Sequence, residues 1–334
     1  MKRSLWLSLW LTLFSATVAV PCGFHNYAPQ PTIVEQMLSS NTIVLARQSR
    51  HSPFKFEVTE TLSGVRPDTP IPFLVDGTTR RKLKNKEVSV LFAYHKDTQT
   101  WSRLAIVDQT LRLVLNDILE DLPAWRSGAT RERAQSFANL LNHPNRTIRT
   151  LALRELDLVG YDVLRTLSFQ MDTQVILNAL ALPMERNREP IRVLLLGLSK
   201  DLNVAGRLAQ GVEASKLGIG PYLGAYATAW IELTGVDAVE TLARNYLVAP
   251  GITPSAQKLI VEAFALHRNY GDPEISTAVS QEMIFAIQKK PALATLAAQY
   301  FIEVKGTPDQ RSPFGQKTRP SPWQDTKDEA AYGN

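Results

Sequence analysis

The residues best suited to chemistry in this chain are few and far apart. Its single cysteine lies in Cys22-Gly23-Phe24-His25, which offers two metal ligands at most, Cys22 and His25, and lacks a third. The other histidines, His51, His95, His143 and His267, are too scattered to form a local metal motif. One cysteine excludes an intramolecular disulfide, an iron–sulfur cluster and a multi-cysteine zinc site. The chain has no Gly-x-Ser-x-Gly elbow, no His-Glu-x-x-His pair, no phosphate-binding glycine loop and no dinucleotide fingerprint. His143 sits in a turn before Pro144, where a capping role fits. His267 ends an amphipathic segment, where a positive charge suits the helix dipole. Asp117, Glu120 and Asp121 read as the solvated face of a helix. No catalytic residue, metal site or cofactor is therefore expected, and the chain is read as a non-enzyme.

The strongest local feature is cationic. Arg80, Arg81, Lys82, Lys84 and Lys86 fall within seven positions. Such a run suits a polyanion, whether nucleic acid, anionic lipid heads or a cell-wall polymer, and is also what a solvated hairpin loop looks like. The excess positive charge of the chain beyond Lys2 and Arg3 lies wholly in residues 20–110.

Two kinds of element have to position these residues. Residues 20–110 alternate with the period of strands. Phe54 to Leu62 has a half-buried alternation, and Thr42–Arg47, Ile71–Val75, Val88–Tyr94 and Trp101–Val107 add four candidates. Turn residues such as Ser63-Gly64, Asp76-Gly77 and Lys96-Asp97-Thr98 separate them. Five strands in about 90 residues suggest a small barrel, with Phe92, Tyr94 and Trp101 filling it and a short helix over Pro31–Ser39 ahead of it. From about Thr110 the period becomes 3.6. Ile148, Leu151, Ala152, Leu156 and Val159 share one face. Further amphipathic segments are expected at about 131–142, 161–168, 173–182, 190–199, 203–215, 221–234, 236–248, 253–268, 275–289 and 292–304. Arg149, Arg154 and Glu155 are expected to form ion pairs between helices.

The whole chain has 334 residues, 44% of them apolar and 21% charged, which is ordinary globular composition. Its first residues form an address. Lys2 and Arg3 precede the apolar run Leu5–Phe14, and small residues ending in Thr17-Val18-Ala19 follow, the layout of a secretory signal peptide cleaved before Val20. The run is too short to span a bilayer. Cys22 stands where a lipoprotein cysteine would, although Pro21 suits that processing poorly, so lipidation and a free thiol both stay open. Residues 307–334 carry four prolines and little periodicity, and read as a disordered tail.

The run Leu140-Leu-Asn-His-Pro-Asn-Arg-Thr-Ile-Arg-Thr-Leu-Ala-Leu-Arg-Glu-Leu156 resembles a HEAT repeat, with Asn142, Pro144, Ile148-Arg149 and Ala152 in the characteristic places. Ile191-Arg192 repeats the aliphatic–arginine pair more weakly. The N-terminal part, with Cys22, a Val-Leu-Ala strand, Glu60-Thr-Leu-Ser-Gly64 and Val-Leu-Phe-Ala, resembles the netrin/TIMP-like OB-fold. Together these are similar to exported bacterial proteins of unknown function with both modules. The resemblance and the periodicities imply an α+β multidomain chain: a small OB-like β-barrel at 20–110, then an α-solenoid of HEAT-like helix pairs at 111–306. They imply a periplasmic or secreted scaffold that binds a protein of unknown identity through its helical surface. Two alternatives are polyanion binding through 80–86 and metalloprotease inhibition of TIMP-like type, which requires a mature chain beginning at Cys22. No transmembrane segment is expected after cleavage.

Overall fold

In a computed structural model of the chain, residues 31–182, 188–216 and 222–302 are described. The signal-peptide segment, Cys22 and the C-terminal tail lie outside them.

The chain enters through α1 (Ile33–Leu38). Thr32 and Glu35 close a capping box there: the Thr32 hydroxyl accepts from the Glu35 amide at 3.1 Å, and the Glu35 carboxylate accepts from the Thr32 amide at 3.3 Å. Four strands follow, β1 (Thr42–Gln48), β2 (Phe56–Ser63), β3 (Ser89–His95) and β4 (Thr100–Val107). A short helix, α2 (Gly77–Lys82), lies between β2 and β3. All neighbouring pairs are antiparallel, in the order β2-β1-β3-β4. Gly64 ends β2 with φ of +79°. A Cβ there would sit 2.1 Å from the Asn41 carbonyl oxygen, so only glycine fits.

The two inner strands are buried on both faces. Ile43, Leu45 and Leu91 face a core shared with the helices. Val44, Ala46, Val90, Phe92 and Tyr94 face a second cluster, with Phe56, Ile71, Val75, Leu83, Val88 and Trp101. The aromatic residues expected inside a barrel thus pack together, Phe92 edge-on to Phe56 at 5.0 Å and to Trp101 at 6.4 Å. The barrel itself does not exist. The sheet is open and four-stranded, and β2 is half exposed at its edge. The fifth expected strand, Ile71–Val75, makes a single bridge, Lys55 to Leu74. Pro70 and Pro72 flank Ile71 and remove the amides a ladder needs. Residues 64–88 instead fold over the second face of the sheet, and the cationic run lies partly on α2 rather than in a hairpin loop.

The rest is helical. α3 (Gln109–Arg126) starts on Asp108, whose carboxylate accepts from the Leu111 amide at 2.8 Å. α4 (Thr130–Ala138), α5 (Arg146–Leu156), α6 (Tyr161–Leu164), α7 (Thr173–Leu180) and α8 (Glu189–Leu198) complete the core beneath the sheet. Then come α9 (Ala205–Ser215), α10 (Leu223–Thr234), α11 (Val236–Leu242), α12 (Pro254–Tyr270), α13 (Pro273–Lys289) and α14 (Leu293–Ile302) around a third cluster. α10 packs against α8, α9, α11 and α12. The segments read from the 3.6 period are helices, but without a uniform unit: lengths run from four residues in α6 to eighteen in α3, and a π turn at Ala243–Leu247 follows α11. The fold class is therefore α+β, with one open sheet and helices dominant in the C-terminal part. This corrects the expectation of an OB-like barrel followed by an α-solenoid of HEAT-like pairs. Among the described residues, no helix is long and apolar enough to cross a membrane.

Candidate functional site

The cationic run is a built feature. Asp76 caps α2, accepting from the Thr79 amide at 2.8 Å and from the Thr79 hydroxyl, and pairs with Arg103 at 3.1 Å. The hydrogen bonds from Thr79, then Arg103, hold the Asp76 carboxyl far below the usual carboxylate range. Arg80 donates to the Pro53 carbonyl at 3.0 Å and lies 4.9 Å over the Phe54 ring. Arg81 reaches the Thr78 hydroxyl. The turn after α2 is held from beneath by Arg47 of β1, whose guanidinium donates to the carbonyls of Leu83 (2.7 Å), Lys86 (2.8 Å), Asn85 and Val88. Lys82, Lys84 and Lys86 are exposed, and their side chains make no hydrogen bond or ion pair among the described residues. Sequence reasoning found the five cations but not Arg47, whose place under the turn depends on strand pairing.

A second arrangement escaped the sequence. α10 is apolar nearly all round, and its one carboxylate, Glu232, is mostly buried. Such a group needs partners, and three converge on it. Tyr161 donates its hydroxyl to Glu232, Arg165 Nε donates at 2.7 Å, and His267 Nε2 lies 3.5 Å away. The Tyr161 hydroxyl is also 2.9 Å from His267 Nε2, while His267 Nδ1 donates to the Ala263 carbonyl at 2.9 Å. Arg165 reaches on to the Tyr270 carbonyl and to Asp272. Burial opposes ionisation of Glu232, but the hydrogen bonds from His267, Arg165 and Tyr161 hold its carboxyl down to about 2. Burial and the neighbouring carboxylate push the Tyr161 phenol well above its ordinary value. His267 thus lies in the last turn of α12, as expected, but is fully buried inside this cluster. The network clamps α6, α10, α12 and the start of α13. The one sequence signal for it is the lone carboxylate in an apolar helix.

The other expected polar groups divide. His143 Nδ1 accepts from the Asn145 amide at 3.0 Å, while Asn145 itself caps α5 by accepting from the Thr147 amide. Glu155 does pair between helices, with Arg133, both almost fully buried; burial raises the Glu155 carboxyl against the pull of Arg133. Arg149 and Arg154 instead donate to backbone carbonyls, Arg149 to those of His143 and Pro144 and Arg154 to that of Pro31.

A concave surface lies between α5, α7 and α8. Its cavity of about 370 Å³ is lined by Leu141, Leu153, Met171, Val175, Ile176, Ala179, Leu182 and Leu195, with Arg146, Arg149, Arg192, Asp172, Asn142 and Asn178 among the polar residues. α7 is tied down at its start, where Asp172 caps it and Thr173 donates to Asp201 at 2.7 Å. Asn142 donates to the Gln170 carbonyl at 2.6 Å, fixing the chain ahead of it. Yet no residue of α7 is buried, and Val175 is 50% exposed. Periodicity found this helix but not the hollow beside it. Comparison with family models, curated proteins and solved structures finds no match for the chain.

Proposed function

We propose that this chain is an exported, non-enzymatic scaffold whose helical part binds a partner protein, in the form of an apolar helical segment flanked by acidic residues, between α5, α7 and α8. The observation that supports this reading is α7: an apolar helix, anchored at one end, with no buried residue and a hydrophobic hollow along it. Concave apolar surface of this kind on a folded protein suits recognition. Laying the apolar face of a helix into a groove is the recurring mode for such a surface. Arg146, Arg149 and Arg192 outnumber Asp172 among the charged residues lining the same hollow, a balance that favours carboxylates on the partner's polar flank. Export rests on the signal-peptide reading of residues 1–19, and places the partner in the periplasm or outside the cell.

A photo-crosslinking side chain at Val175, compared with one at the exposed Leu113 of α3, tests the reading on the exported fraction. A discrete protein adduct at Val175, absent at Leu113 and lost when Leu182 is changed to Asp, is expected. Identical adducts at both positions, or none at Val175, would overturn it.

A further inference from the structure

The sheet carries a different surface at one of its ends. The loop between β1 and β2, residues 49–55, and the segment from Leu74 through α2 to Lys86 meet at one end of the sheet. Lys55 bridges Leu74, and the Val75 amide donates to the Phe54 carbonyl at 2.8 Å. Arg80 covers part of the Phe54 ring and bonds Pro53. Phe54 is nevertheless 58% exposed and Leu74 67%. Arg80 lies over Phe54 and Lys55 bridges Leu74, while Arg50, Arg81, Lys82, Lys84 and Lys86 belong to the same two segments. Arg50, Lys55, Lys82, Lys84 and Lys86 have no side-chain hydrogen bond or ion pair among the described residues. Of the neighbouring carboxylates, Asp76 is already taken by Thr79 and Arg103, while the exposed Glu57 and Glu87 border the two segments and are outnumbered by their seven cations. Arg47 fixes the cationic turn to the sheet, so the charges are presented on a rigid base.

We propose that this end of the sheet docks on an anionic lipid bilayer. The lysines and arginines lie against the headgroups, and Phe54 and Leu74 enter the interface. Charge complementarity selects an anionic partner. The two exposed apolar side chains carried on these cationic segments select a membrane over a dissolved polymer, because only a bilayer offers an apolar layer beneath its charges. The surface is separate from the groove beside α7 and does not depend on it.

The experiment is sedimentation of the exported chain with phosphatidylcholine vesicles, with and without about one-third phosphatidylglycerol. Inorganic polyphosphate serves as a soluble polyanion control. Every variant keeps the same N-terminus, so any contribution from Cys22 or the residues before it is constant. Binding is expected only with phosphatidylglycerol, weakening as salt rises past about 0.5 M. Lys82→Gln, Lys84→Gln and Lys86→Gln together are expected to weaken it at least about tenfold. Phe54→Ser with Leu74→Ser is expected to weaken vesicle binding about fivefold while leaving polyphosphate binding unchanged. No binding to phosphatidylglycerol overturns the proposal. So does vesicle binding indifferent to the Phe54 and Leu74 changes, which would make the surface a general polyanion site. These side chains are exposed, and unchanged circular dichroism checks that each variant folds.

Discussion

The environment of Glu232 departs from what its apolar neighbours in sequence suggest. Its carboxyl is held at about 2 in the folded chain, against an ordinary 4.5. A carboxyl lowered on folding contributes stability that is complete above about pH 4.5 and lost as the pH falls toward 2, a contribution on the order of 3 kcal/mol. Glu155 works the other way, since burial raises it, and its protonation at falling pH favours the fold. The Glu232→Gln variant separates the two. In urea unfolding, its deficit relative to the parent should be largest at pH 6 and shrink by pH 3; a constant deficit would mean that the carboxylate charge contributes nothing. The network was illegible in the sequence for a plain reason. Tyr161 and Glu232 are 71 positions apart, and Tyr161 and His267 are 106 apart, so no local pattern joins them.

Among the elements, the helices were the most legible. The segments expected at 173–182, 190–199 and 253–268 appear as α7, α8 and α12 with ends shifted by one or two residues, because an amphipathic face is written into the order of the residues. How those helices approach each other was not. α8 meets α10 at Gly197, where an added Cβ would lie 2.6 Å from Ala229 Cα. Gly197→Val should therefore destabilise by about 2–3 kcal/mol through forced separation of the two helices. Gly206→Ala on α9 has open space around it and should stabilise by about 0.5–1 kcal/mol. Chemical denaturation of the two variants checks the pair, and equal effects would contradict the close approach. Among the strands, the alternation located β1 to β4, but closure into a barrel did not follow from it. Pro70 and Pro72 withhold amides that Ile71–Val75 would need to pair with a neighbouring strand, a cost that alternation alone does not register.

For the whole molecule, the core beneath the sheet is where strands and helices meet. Ile43, Leu45, Leu91 and Val107 share it with Leu115, Phe137, Ile148 and Leu195. The sheet and the first helices therefore bury each other's apolar faces, and they should open together. Phe137→Ala, at a fully buried site on α4, is expected to destabilise by about 3–5 kcal/mol. Hydrogen exchange should show amides of β3 and α5 losing protection to the same extent. Loss confined to α4 and α5 would mean that the sheet stands on its own core. The two surfaces proposed for binding share no residue, one being the hollow against α7 and the other the cationic end of the sheet.

By itself, the sequence determined the periods, and with them the strand region, the helical region and the cluster Arg80–Lys86. Period and charge are local properties, fixed by which residues stand two, three or four places apart. Only the tertiary structure decided that the sheet stays open, that Arg47 holds the cationic turn, that Arg80 covers Phe54 and Lys55 bridges Leu74, and that Tyr161, Arg165, Glu232 and His267 meet. Each of these joins residues distant in the chain, and what brings them together is the burial of apolar faces around a common core, which is not directional and leaves no mark in local spacing.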